Sequence, residues 1–183
     1  GLEATSAALS AHWKDSVDGR TPYAQVLANA GRPGNTTYPS LVAAVQEILD
    51  GMVGICAELA DGKLAGPYDA HDPSLVESQF SFNSIADFEN NLRSVENMYT
   101  ARVEAAGTRG RGLDKFIVEL DSALDARVKR EIQAAIDGLR AIPEPFRDAI
   151  TTPSSYDEIE AAQAAIRRLQ TTLERDVTPL VLR

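Results

Sequence analysis

The sequence predicts an all-α fold: a helical bundle of four long helices with short accessory helices. Apolar residues recur at three- and four-residue steps in four separate stretches, the stripe of an amphipathic helix that no strand can present. No stretch shows period-two alternation between hairpin turns. The 183 residues, 44% of them apolar, are enough to bury a sizeable core. One domain over residues 1–183 is expected, with accessory helices in 1–35 and the main bundle in 36–183.

Residues 4–17, which include Trp13, and residues 22–30 read as the two short helices, the second closed by Gly31-Arg32-Pro33-Gly34. The first long helix is lined by Leu41, Val42, Val45, Ile48, Leu49, Met52, Val53, Cys56 and Leu59. Thr36 or Thr37 is its expected cap, Pro39 falls in its first turn, and Gly66-Pro67 marks its end. Gly51 and Gly54 inside this stripe would admit a closely packed neighbour. The second long helix spans 84–105 on Ile85, Phe88, Leu92, Val95 and Tyr99, with Asn83 or Ser84 as cap. Ser84 and Asp87 have the spacing of a capping box, with Asp in the usual Glu position. Gly107 to Gly112 breaks the chain, and a short amphipathic piece follows over 113–120. The third long helix carries Leu124, Val128, Ile132, Ala135, Ile136 and Leu139 and ends at Ile142-Pro143. The fourth starts at Ser154 or Ser155, ahead of Asp157 and Glu158, and runs on Ile159, Ala162, Ile166, Leu169, Leu173 and Val177. No sheet beyond an incidental bridge is expected.

Composition excludes several functions. Eighteen basic residues against 27 acidic ones leave a formal charge of −9, which repels phosphate backbones and argues against nucleic acid as a partner. No apolar run approaches the ~20 residues of a membrane span. Cys56 is alone, so neither an internal disulfide nor a multi-thiolate metal site exists, and on its apolar stripe it reads as an inert small hydrophobe. No signal peptide opens the chain, which starts Gly1-Leu2-Glu3 as a processed or partial chain would.

Candidate chemistry is sparse. Asp69, His71, Asp72 and Glu77 crowd one loop, either as a His–carboxylate metal site or, the favoured reading, as a polar interhelical loop turning at Asp72-Pro73. His12 reads as a packing or surface residue. Asn35-Thr36-Thr37 has the form of a glycosylation acceptor, although turn and capping roles already explain these residues. Arg109 and Arg111, set among glycines, offer an anion contact or simply a solvated turn. No catalytic residue is assigned, and no metal site.

The segment 77–88 stands apart, because it is polar and aromatic together. Its serines and asparagine suit the amides at a helix start, and Phe80, Phe82 and Phe88 are expected to anchor it to the core. The block E-S-x-F-S-x-N-S-x-x-D-F, from Glu77 to Phe88, resembles the second-half signature of the imelysin family. Lys63-Leu64 with Pro67, the stretch from Trp13 to Gly31, Gly112-Leu113 and Ile142-Pro143-Glu144-Pro145-Phe146 follow the family's order. The resemblance covers nearly the whole chain but only the C-terminal half of a typical member. It implies a periplasmic or membrane-attached protein associated with bacterial iron uptake, in a family classed with metallopeptidases.

The family's G-x-H-x-x-E motif is absent. His12 has Ser10 and Asp15 where glycine and glutamate belong, and His71 is followed by Ser74. The resemblance therefore implies a non-enzymatic helical module acting in binding or partner interaction. The alternative is the C-terminal part of a metallopeptidase whose catalytic motif lies in the N-terminal half. Glu77, Ser78, Ser81, Asn83, Ser84 and Asp87 are the candidate binding residues. The expected partner is the N-terminal imelysin half or another periplasmic iron-uptake protein. No cofactor is expected in this chain, and iron or another divalent metal belongs to a full-length protein.

Overall fold

A computed structural model describes residues 1–103 and 106–183. The chain divides into two compact units, 1–48 and 49–181. The first contains α1 (Leu2–Lys14), α2 (Tyr23–Ala28) and the start of α3 (Leu41–Ala57). Helix α1 stops before residue 17 because Asp15 is already extended, and the chain then reverses through Asp18 and Gly19, both at positive φ. Trp13 meets the edge of Tyr23 at 4.9 Å, and Tyr23 meets that of Tyr38 at 6.4 Å. The two tyrosine hydroxyls are hydrogen-bonded to each other. That bond, together with burial, pushes the Tyr38 hydroxyl up to about 12. Neither Thr36 nor Thr37 caps α3. Ser40 does so, its Oγ accepting from the Ala43 N–H at 3.0 Å.

The second unit opens on the rest of α3, which does not end at Gly66-Pro67. It continues through a π-helical stretch, Glu58–Leu64, into α4 (Ala65–Ala70). The widened turn shifts the hydrogen-bond register, so Pro67 falls in the first turn of α4, where its missing N–H costs little. His71, at φ +49°, closes α4 in the left-handed region. A 3₁₀ turn (Pro73–Leu75) and an irregular loop lead to α5 (Ser84–Thr100). Then come α6 (Leu113–Leu120), α7 (Ser122–Ala141), α8 (Phe146–Ala149), α9 (Tyr156–Thr172), a second π stretch (Leu173–Val177) and α10 (Thr178–Val181). The Asp121 carboxylate caps α7, accepting from the Leu124 N–H at 2.8 Å.

Helix α7 packs along α9, and α5 and α6 pack on α7. Every stripe residue anticipated for these helices is buried. The close helix approach sits at Gly138, where a Cβ would lie 3.2 Å from the Ala162 Cα. Gly51 and Gly54 instead face open space, so they admit no tightly packed neighbour. Phe88 and Phe146 meet edge-to-face at 5.5 Å in the core. At the far end of α5 Tyr99 donates to Asp125 at 3.1 Å, while Lys129 reaches Asp125 at 2.9 Å and the buried Asp114 at 3.4 Å.

The expected end of the second long helix at residue 105 lies outside the described residues. The described chain leaves α5 at Ala101, which adopts φ +49°. It forms β1 (Arg102–Val103), paired antiparallel with β2 (Thr108–Arg109), a two-stranded ribbon that the sequence did not anticipate. Two-residue strands are too short to show a period-two pattern.

Candidate functional site

The loop between α4 and α5 gathers most of the unusual backbone in the second unit. His71, Ser78 and Phe82 all have positive φ without being glycine. Such residues carry a conformational cost of about 1–2 kcal/mol each and persist only where surrounding bonds hold them. Those bonds are present. Ser78 Oγ donates to Asp87 Oδ2 at 2.6 Å, and Asn83 Nδ2 donates to Asp87 Oδ1 at 2.7 Å, so one carboxylate ties both sides of the loop. Ser81 Oγ and the Phe82 N–H both donate to the Ser78 carbonyl, at 3.3 and 3.0 Å. The Ser84 hydroxyl donates to the Glu77 carbonyl. Arg147, on α8, donates to the Gln79 carbonyl at 3.0 Å and sets its guanidinium 5.7 Å from the Phe82 ring centre.

This wiring departs from the expected capping box. Asn83 is the N-cap of α5 without a side-chain cap bond, and Ser84 lies inside the helix with its hydroxyl turned back to Glu77. Asp87 serves the loop instead. The structure brings Ser78, Ser81, Asn83, Ser84 and Asp87 into one hydrogen-bonded set. Glu77 lies at its edge, pairing through Oε2 with Lys63 at 2.9 Å, and Lys63 belongs to the first π stretch. Sequence reasoning missed Lys63 and Arg147. They stand 14 and 68 positions from their loop partners, and no local pattern announces such a contact.

The phenylalanines also depart from expectation. Phe88 is fully buried, but Phe80 is 84% exposed and Phe82 is 52% exposed. With Leu75, 57% exposed, they place apolar side chains on the outside of an ordered loop. The backbone of the same loop is in the left-handed region at Ser78 and Phe82.

The crowd around His71 is divided among separate tasks. His71 Nδ1 lies 3.0 Å from the Ile150 carbonyl, which can only accept, so Nδ1 carries a proton there. Tyr156 stacks on the imidazole at 5.6 Å, and Tyr68 packs edge-on against both rings. Burial and a 2.8 Å hydrogen bond to Glu160 push the Tyr68 hydroxyl up to about 12. Asp72 accepts from the Ser74 N–H at 2.9 Å, and bonding to Ser74 holds its carboxyl below the ordinary value. Among the described residues no three His, Cys, Asp or Glu side chains are grouped as metal ligands. Cys56 is fully buried, and burial pushes its thiol up to about 12. His12 is exposed on α1. Arg109 and Arg111 are exposed, with Arg111 4.0 Å from Glu119. The Asn35 side-chain nitrogen donates to the Val26 carbonyl at 2.7 Å, so the acceptor atom of the glycosylation-like triplet is already engaged. No helix among the described residues is long and apolar enough to cross a membrane.

Helical architecture and loop signature together define an imelysin-type bundle. A profile of the imelysin family (peptidase M75) matches residues 1–173, and the chain belongs to that family. It is 31% identical over 173 residues to Iron-regulated protein A of Synechococcus elongatus, an alignment covering 94% of this chain and 48% of that protein. The crystal structure of an imelysin peptidase from Bacteroides ovatus superposes with a TM-score of 0.85 at 29% identity, covering 98% of this chain and 51% of the other. A second solved chain, from Parabacteroides distasonis, shares the fold at a TM-score of 0.81 and 23% identity, covering 94% and 51%. The chain thus spans about half the length of these relatives.

Proposed function

We propose that this chain is a non-enzymatic helical module of an imelysin-type protein of bacterial iron uptake, working on the periplasmic side of the membrane. It binds a partner through the 77–87 loop, and that partner is the N-terminal imelysin half. The observation that carries this reading is Phe80, 84% exposed on a loop tied by Ser78 and Asn83 to the Asp87 carboxylate. A flexible linker would let such a ring fold back onto the core, whereas this loop fixes it outward. Burying a phenylalanine is worth roughly 2 kcal/mol, so Phe80 and Phe82 together offer an anchor of useful strength. That this chain spans about half the length of its relatives supports the N-terminal half as the occupant. The iron context rests on the name of the Synechococcus relative. Any iron or other divalent metal is assigned to the partner half, because no three His, Cys, Asp or Glu side chains are grouped as metal ligands among the described residues here.

A second reading follows from the Bacteroides ovatus relative, described as a peptidase. In it the chain is the C-terminal part of a metallopeptidase whose G-x-H-x-x-E motif lies in the other half. Peptide cleavage by the joined halves, lost when that motif is removed, would favour it over the binding module.

Glu77 tests the binding surface. Glu77 is itself exposed while Lys63 is mostly covered, and ion pairs with one member open to water are worth about 1 kcal/mol or less. Glu77→Gln should therefore leave the melting temperature of the isolated chain nearly unchanged. Glu77 Oε1 makes no further bond among the described residues and remains available to a cation on the partner. The same variant should weaken binding of the N-terminal half several-fold. Unfolding of the isolated chain would make Glu77 a structural residue and remove it from the interface.

A further inference from the structure

A cavity of about 470 Å³ opens within the first unit, between α2 and the turn that follows it. Its lining includes Thr21, Gln25, Asn29, Arg32, Thr36 and Thr37. We propose that it binds a small hydroxylated carboxylate, with Arg32 receiving the carboxylate and the threonines and amides receiving the hydroxyls.

Two contrasts carry this assignment. The first is between wall and lining. The wall is tightly bonded: the Gly31 N–H donates to the Tyr38 carbonyl at 2.9 Å, and the Asn35 N–H donates to the Arg32 carbonyl at 3.1 Å. Asn35 uses both ends of its amide, on Val26 and on the Tyr38 N–H, and Gly31 and Gly34 supply the positive φ values the turn requires. The six lining side chains, all exposed but the half-buried Asn29, make no hydrogen bond or ion pair to protein among the described residues and face the open cleft. Elsewhere in the chain Thr100, Thr151, Thr152, Thr171 and Thr178 each donate to a backbone carbonyl. A rigid frame around unspent donors and acceptors is the arrangement of a site that recognises a polar ligand.

The second contrast is in charge. The chain holds 27 acidic residues, yet none lines this cavity, while Arg32 does. A guanidinium fork matches a carboxylate through two parallel bonds. One cation suits one negative charge and is a poor match for a phosphate dianion. Threonine hydroxyls and the amides of Gln25 and Asn29 both donate and accept, as hydroxyl groups on a ligand require. No aromatic ring lines the cavity, so hydrogen bonding and not stacking sets the specificity.

Calorimetric titration of the full chain with gluconate, sorbitol and inorganic phosphate tests the proposal. Gluconate should bind with a Kd of about 1 mM, as its size and the open site allow. It should bind roughly tenfold more tightly than sorbitol, which has the same hydroxyl chain without the charge. Arg32→Gln should reduce gluconate to the level of sorbitol. In the unsubstituted chain, gluconate-induced amide shifts should centre on residues 21–37. Equal affinity for gluconate and sorbitol, tighter binding of phosphate, an unchanged Arg32→Gln variant, or shifts centred elsewhere would each overturn it.

Discussion

Phe88→Ala should destabilise the chain by about 3–5 kcal/mol, while Phe80→Ala, eight residues earlier, should change stability by less than about 0.5 kcal/mol. Phe88 has no exposed surface and packs edge-to-face on Phe146, in a core closed by α5, α7 and α8. Truncating it removes the transfer free energy of a buried ring and leaves a cavity that helices this closely packed cannot fill by relaxing. Phe80 has 84% of its surface in water already, so its removal takes little from the folded state. Urea denaturation of both variants measures the difference. Comparable losses in the two would mean that Phe80 is a core residue after all, and the loop reading would fail.

Gly112→Ala should cost at least about 3 kcal/mol, although Gly112 is only half-buried and its backbone is ordinary, with φ −84°. The chain returns from the β ribbon directly across the end of α5. A Cβ on Gly112 would fall against the Thr100 carbonyl carbon, 2.5 Å from the Tyr99 carbonyl oxygen and 2.7 Å from the Ala101 nitrogen. All three are backbone atoms of the last helical turn, which cannot rotate aside as a side chain would. Relief requires the ribbon to lift from the helix or the last turn of α5 to unwind. A thermal melt within 1–2 °C of the unsubstituted chain would show that this close return does not constrain the fold.

Most of the helical frame was legible because the information is local and periodic. Leu124, Val128, Ile132, Ala135, Ile136 and Leu139 repeat at the helical interval, and all six are buried on α7. The same holds for Ile159, Ala162, Ile166 and Leu169 on α9. Helix ends were less legible, because several near-equivalent caps compete. Thr36, Thr37 and Ser40 can all cap α3, and the geometry of the turn selects Ser40. The π stretches left no trace in the apolar pattern, since a single widened turn shifts the stripe without breaking it.

The candidate site was legible in composition but not in wiring. Ser78, Asn83 and Asp87 do form a polar set, as small hydrogen-bonding side chains beside a helix start predict. The expectation that three phenylalanines anchor the loop failed for Phe80 and Phe82. Apolar character alone points a ring inward, but both rings lie on the outside of a loop whose backbone is in the left-handed region at Ser78 and Phe82. Lys63 and Arg147 come from distant parts of the chain, so only the folded chain identifies them as partners of the loop.

Titration of this chain with the separately produced N-terminal imelysin half from the same organism, with and without Phe80→Asp, tests the binding role most directly. Saturable one-to-one binding is expected for the unsubstituted chain. A loss of roughly tenfold or more is expected on placing a charge where the ring should be buried, with the variant's melting temperature unchanged. Binding of undiminished affinity by the stable Phe80→Asp chain would contradict that role.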